Sequence, residues 1–320
     1  MRVLIAVALM LLTGTARAEM PVLRIGLLSF GSVQWEIDTM RAEGLDARHG
    51  IAAQATELAG KDATSIALLS GQVDTIVGDW PWVSRQRAMG KDLTFVPYSV
   101  VTGAVLVPKD SPIHTLADLS GRKVGIAGGP LDKSWLLLKA LGHKQGMDLD
   151  AAIDKSFGAP PLLAQLLETG KLDALLTYWQ SAAQLQAKGM RRLVDVNSIL
   201  PELGIPSSTP LVGWVFRRDW ADANRATVLA FLAAERETRA RLCGDDALWP
   251  RLDPLTRAPD AASRDRLRHG FCAGEPKAWG DRERQDAARL FALLARYGGE
   301  ELVGPSPCLQ DGTFWPEVTY

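Results

Sequence analysis

Histidine and cysteine are scarce in this chain, with 4 His and 3 Cys among 320 residues. No cysteine belongs to a CxxC pair, and no HExxH, GxSxG, Walker A or dinucleotide fingerprint occurs. Metal, redox, acyl-transfer and nucleotide chemistry therefore have no motif to stand on. Neither sign of charge is in excess: 36 Lys+Arg stand against 37 Asp+Glu. This argues against a nucleic-acid-coating protein. Past residue 12 no apolar run approaches the roughly 20 residues a membrane-spanning helix needs. Tyrosine is rare (4), whereas tryptophan is abundant (10). The remaining composition, 47% hydrophobic and 23% charged, is that of a globular protein and excludes disorder. At roughly 150 residues per domain, the length predicts two domains.

Met1 to Ala18 have the pattern of a secretory signal peptide. Arg2 supplies a short basic start, and Val3 to Leu12 an apolar run too short to span a bilayer. Ala16-Arg17-Ala18 is a small-x-small cleavage site. The expectation is cleavage after Ala18 and a soluble, exported mature chain. Export makes the cysteines disulfide candidates, and three of them leave one bridge and one spare thiol. Cys243–Cys272, which would staple a Pro- and Arg-rich excursion, is the first choice. Cys272–Cys308 is the alternative.

The chain resembles itself at an offset of 99. Gly71, Asp74 and Trp80 match Gly170, Asp173 and Trp179, and Ala88 and Gly90 match Ala187 and Gly189. The same shift lays Leu23–Leu27 on Arg122–Ile126. A period this long is the size of a small α/β lobe, not of a solenoid repeat. Each copy predicts four strands (near 23–28, 51–58, 73–78, 94–100; and 123–127, 153–157, 173–178, 192–196) alternating with helices. Continuous apolar strands in such alternation imply parallel layers. Two β-branched runs, Thr102–Pro108 and Pro210–Arg217, flank the second copy and are expected to cross between lobes. The expected division is 19–103 with 211–320 as lobe 1, carrying the C-terminal helices, and 104–210 as lobe 2.

Ligands of open α/β sheets bind beyond the carboxyl ends of the strands. Five of the ten Trp (Trp35, Trp80, Trp82, Trp135, Trp179) fall there. They are either stacking surfaces for a planar or cationic ligand, or packing for the lobe edges. Asp79 stands just before Trp80-Pro81-Trp82, as a helix N-cap, a ligand contact, or both. Glu36 is a further candidate for an amine or hydroxyl. Gly128-Gly129 precedes a helix and exposes backbone N–H groups, with Lys133 and Ser134 following.

The run Val105–Gly125 (VLVPKDSPIHTLADLSGRKVG), the Gly71-x2-Asp74 step and Asp311-Gly-Thr-Phe-Trp315 resemble ABC-transporter substrate-binding proteins. The nitrate/sulfonate/taurine branch, which includes thiamine-pyrimidine-precursor binders, is the most similar. The resemblance covers nearly all of the mature chain. It implies an α/β, type II periplasmic-binding fold: two lobes joined by two hinge strands, mapping onto Thr102–Val105 and Pro210–Gly213. It further implies a periplasmic, monomeric, non-enzymatic carrier without cofactor, serving an inner-membrane ABC permease. The implied ligand contacts are Phe30, Gly31, Ser32, Trp35, Asp79, Trp80 and Trp82 from lobe 1, and Gly129, Lys133, Ser134, Tyr178 and Trp179 from lobe 2. No Arg lies on these loops and Lys133 is their one basic candidate, so a small aromatic, amine-bearing or neutral ligand is expected rather than a simple sulfonate or nitrate. The alternative is an exported accessory or sensor protein beside a periplasmic quinoprotein dehydrogenase.

Overall fold

The computed structural model describes residues 19–29, 31–206 and 209–320. The expected signal peptide and Phe30 lie outside the described residues. The first copy of the repeat runs β1 (Val22–Leu28), α1 (Ser32–Ala42), α2 (Leu45–Arg48), β2 (Ala52–Leu58), α3 (Lys61–Leu69), β3 (Thr75–Asp79), α4 (Trp80–Ala88) and β4 (Leu93–Ser99). After β5 (Gly103–Val107), the second copy runs β6 (Lys123–Ala127), α5 (Lys133–Lys144), α6 (Leu149–Ala152), β7 (Asp154–Gly158), α7 (Pro160–Glu168), β8 (Ala174–Tyr178), α8 (Trp179–Ala187) and β9 (Arg191–Asp195). Then come α9 (Val196–Ile199), β10 (Val212–Arg217), α10 (Arg218–Ala223), α11 (Arg225–Gly244), α12 (Asp253–Thr256), α13 (Ala261–Ala273) and α14 (Asp281–Val303).

Two five-stranded sheets result, ordered β2-β1-β3-β10-β4 and β7-β6-β8-β5-β9. Shifting β1–β4 by one copy gives β6–β9, so the topologies superimpose, with β10 and β5 in equivalent places. Neither sheet is wholly parallel, contrary to the sequence expectation: β10 runs antiparallel to β3 and β4, and β5 to β8 and β9. The two inserted strands start on close backbone approaches. A Cβ on Gly213 would sit 2.1 Å from the Val96 carbonyl oxygen, and one on Gly103 2.4 Å from that of Thr177. Only glycine fits either place.

The repeated aspartate has a structural task in both copies. Asp74 accepts from the backbone N–H of Arg24 at 2.9 Å, and Asp173 from that of Lys123 at 2.8 Å. Each carboxylate thus satisfies a backbone donor at the start of its lobe's first strand. The sheets bury apolar strands against helices: Leu23, Ile25, Trp214 and Phe231 on the first, Leu163, Leu167, Leu172 and Leu175 on the second.

The C-terminal helices do not keep to the first lobe. Helix α11 packs on α1, but α13 packs on α8 and α14 on both α4 and α5. Cys243 and Cys272 form the disulfide of first choice, leaving Cys308 free and exposed. None of the described helices is long and apolar enough to cross a membrane.

Candidate ligand cleft

Strand ends and helix starts of both sheets converge on one polar seam. Asp79 ends β3 and caps α4: its Oδ1 accepts from the Trp82 N–H at 2.9 Å. Its Oδ2 accepts from the Lys133 ammonium of the other lobe at 2.8 Å, with both side chains less than one-fifth exposed. Asp79 therefore holds a helix and reaches across the seam at once. Asp132 caps α5 in the same way, accepting from the Ser134 N–H at 3.0 Å. Lys61, the first residue of α3, reaches the other way, placing its ammonium 5.4 Å from the Tyr178 ring centre.

The electrostatics follow from this weave. Burial disfavours the charged form of Asp79, but Lys133 and Lys61 outweigh it and hold the carboxyl below its usual range. Burial wins at Asp132 and pushes its carboxyl upward against the same two lysines. Burial also raises the Tyr178 phenol. For Lys61 burial opposes the charge, and Tyr178, Asp132 and Asp79 overcome it, so the ammonium is retained. Two carboxylates and two ammoniums cancel in formal charge.

Around this quartet the helix starts differ. Helices α4 and α5 have capping aspartates, whereas α1 (N-cap Gly31, φ 135°) and α8 (N-cap Tyr178) have no side-chain cap and no acid in their first turns. The first N–H groups of α1, opened by Ser32, are available to an acceptor, whereas at α8 the Trp179 N–H is already spent on the Thr102 carbonyl at 3.1 Å. Gly129, at φ +116°, has open space where a Cβ would be. Ser134 is buried beside Gly103. Trp35 and Trp179 meet edge to face across the lobes at 5.9 Å, and Trp82 is half-buried near Gly78. The N–H of the buried Trp35 and the hydroxyls of the buried Thr177 and Thr209 have no hydrogen-bond partner among the described residues.

Not every expected tryptophan faces the seam. Trp80 is fully buried against Phe291 and Phe314, and its N–H is spent on the Pro210 carbonyl at 2.8 Å. Trp135 is likewise core. Both follow strand ends, but the first turn of a helix turns some side chains inward, and large aromatics there fill the space under the sheet. Glu36 lies beyond the first turn of α1 and is wholly buried, 3.5 Å from the Arg239 guanidinium. Burial raises its pKa well above the usual value. Lys61 was the residue missed from sequence: its counterpart at +99 is Pro160, so the repeat gives no hint of it.

Two sheets of matching topology, crossed twice by the chain and meeting at a polar seam, define a type II periplasmic-binding fold. The family described as "NMT1/THI5 like" matches residues 41–241, well over half of the chain, and the chain belongs to it. A curated relative, the "Putative aliphatic sulfonates-binding protein" of Escherichia coli strain K12, is 31% identical over 180 residues. That stretch is 54% of this chain and 52% of the relative, so the match spans about half the relative's length. The fold is shared with the periplasmic aliphatic sulphonate binding protein SsuA from Escherichia coli (TM-score 0.73, 21% identity, 92% of each chain). It is shared too with the alkanesulfonate-binding protein SsuA from Xanthomonas axonopodis pv. citri bound to MOPS (TM-score 0.71, 18% identity, 93% of this chain and 99% of that one). The fold also occurs in the desulfurization enzyme DSZB (TM-score 0.62, 17% identity, 93% of this chain and 97% of that one).

Proposed function

We propose that this protein is a periplasmic solute-binding component of an ABC importer. Its ligand is a small organic solute that carries an amine, is neutral overall, and brings an acidic group with the amine. The observation that carries this reading is the charge-balanced quartet Asp79, Lys133, Lys61 and Asp132 spanning the seam. A solute entering between Asp79 and Lys133 separates a largely buried ion pair. Leaving either partner uncompensated is costly. A solute with an amine for the aspartate and a sulfonate or carboxylate for the lysine compensates both. The helix start of α1 adds donors for the acidic group, and the half-buried Trp179 adds an aromatic face at the lobe boundary.

The relatives support this class. One is named for aliphatic sulfonates. Another was solved with MOPS, a molecule with both a tertiary amine and a sulfonate. Lys61 removes the ground for expecting an amine or neutral group alone. A carrier role also accords with relatives named as sulfonate-binding proteins.

Thermal denaturation with 2-aminoethanesulfonate, MOPS, ethanesulfonate and benzylamine tests the reading. A solute present at 100 Kd adds about 2.7 kcal/mol. The two zwitterions are expected to stabilise the protein more than ethanesulfonate or benzylamine, and Asp79→Asn to abolish that advantage. Equal shifts by ethanesulfonate and 2-aminoethanesulfonate in both proteins would falsify the amine requirement.

A further inference from the structure

The stretch from Cys243 to Gly274, which holds both disulfide cysteines, has no counterpart in the repeat, and it touches three parts of the molecule. Cys243–Cys272 ties it to the end of α11, and the Arg251 guanidinium donates to Thr39 of α1 at 3.1 Å, both in lobe 1. On lobe 2, α13 lies against α8 so closely that a Cβ on Gly270 would stand 2.7 Å from the Trp179 ring. The Gln184 amide of α8 donates to the Thr256 carbonyl at 2.8 Å. At the hinge, the Val100 N–H donates to the Gly274 carbonyl at 2.9 Å, and Gly274 has no room for a side chain beside Ser99 and Val101. A single apolar cluster joins all three partners: Trp35 from lobe 1, Ala183 and Trp179 from lobe 2, and Trp249, Leu267 and Phe271 from the segment.

We propose that residues 245–274 form a clasp that holds the cleft shut, anchored to lobe 1 by Cys243–Cys272 and gripping lobe 2 through Gly270 on Trp179. Opening the cleft separates Trp35 from Trp179, so the aromatic cluster must break or travel with one lobe. Because Gly274, the residue that caps α13, accepts from Val100 just ahead of the hinge strand, the seating of α13 and the hinge angle are coupled. The disulfide decides which lobe keeps the clasp: with the bridge intact it stays on α11, and lobe 2 must leave it. Ligand exchange is then limited by release of Trp179 from Gly270. The inference goes beyond the proposed ligand class and needs no ligand for its test.

Hydrogen–deuterium exchange on the oxidised mature protein provides that test. The readouts are the amides of Trp82 and Ser134, which donate to Asp79 and Asp132 at the two helix starts lining the seam and not to the clasp. Gly270→Ala, which keeps the disulfide, is expected to speed exchange at Trp82 and Ser134 about tenfold while the strand amides of β1 and β6 stay protected. Cys243→Ser with Cys272→Ser is expected to do the same. Faster exchange confined to 245–274 and α8 overturns the proposal, because the clasp is then a local staple. Uniform acceleration including β1 and β6 also overturns it, as does no change. None of these outcomes bears on which solute the cleft takes, so the two proposals fail separately.

Discussion

The two lobes share one plan but use its equivalent positions for different ends. At the end of the third strand, lobe 1 carries Asp79 and lobe 2 carries Tyr178. At the next residue, Trp80 is sunk in the core while Trp179 stays half-buried between lobes. At the repeated aspartate, Asp74 is buried and gripped by Arg24 through its backbone and side chain. Asp173 is half-exposed and serves only the Lys123 N–H among the described bonds. Lobe 1 thus invests these positions in its own packing and a single acidic reach across the seam. Lobe 2 turns them outward, toward the other lobe and the clasp. Both strand ends remain paired in their ladders, Asp79 with Val212 and Tyr178 with Gly103, so the frame is kept by backbone groups while the side chains there are free to differ.

Three experiments stress that contrast. The largest effect is expected at the tryptophans. Trp80→Ala should cost about 3–5 kcal/mol in urea denaturation, as for a fully buried aromatic. Trp179→Ala should cost about 1–2 kcal/mol, since its ring is half-exposed. Losses of equal size would erase the distinction between core and seam. Next, Asp74→Ala should cost about 2–3 kcal/mol by removing charge-assisted hydrogen bonds, and Asp173→Ala about 1 kcal/mol by removing one bond to a backbone donor. A larger loss at Asp173 would reverse the ranking of the two capping sites.

The smallest effect concerns the seam carboxylates and their opposite signs. Asp79 has a folded pKa below its usual value. Its pair with Lys133 therefore contributes above about pH 4 and fades as pH falls through the depressed value. Asp132 has a raised folded pKa, so its ionised form destabilises at neutral pH and protonation relieves this on acidification. Asp79→Asn should lose about 1 kcal/mol at pH 7 and flatten the acid limb of a stability profile. Asp132→Asn keeps a capping oxygen and should gain about 0.5 kcal/mol at pH 7, with the gain vanishing in acid. A loss at both positions would mean that the quartet needs both negative charges, and that the lobes differ less here than the opposite shifts of the two carboxyls suggest.

Much of the frame was legible because hydrophobic alternation and the Gly-x2-Asp step are local. The expected strands 23–28, 123–127 and 173–178 lie within two residues of β1, β6 and β8. The antiparallel insertion of β5 and β10 was not legible, because an apolar strand reads the same in either direction. Asp79, Lys133, Tyr178, Trp35 and Trp179 do come together, since strand ends of both sheets meet at one seam. Trp80 and Trp135 were misplaced because proximity to a strand end does not say which way a helix's first turn faces. Lys61 sits on a helix start that carries no motif. The clasp was half legible: the spacing of Cys243 and Cys272 pointed to a staple, but the docking of α13 on α8 depends on Gly270 meeting Trp179, a contact 91 positions apart in the chain.

The placement of β10 also orders events in time. The second sheet is built from one continuous stretch, β5 to β9, so all of its strands are present once residue 195 has emerged. The first sheet begins at Val22, yet β3 and β4 are joined only through Val212–Arg217, which lies between them. The sheet begun first is therefore the sheet completed last. During synthesis or export it must wait, with an open slot, for a strand that follows its finished neighbour.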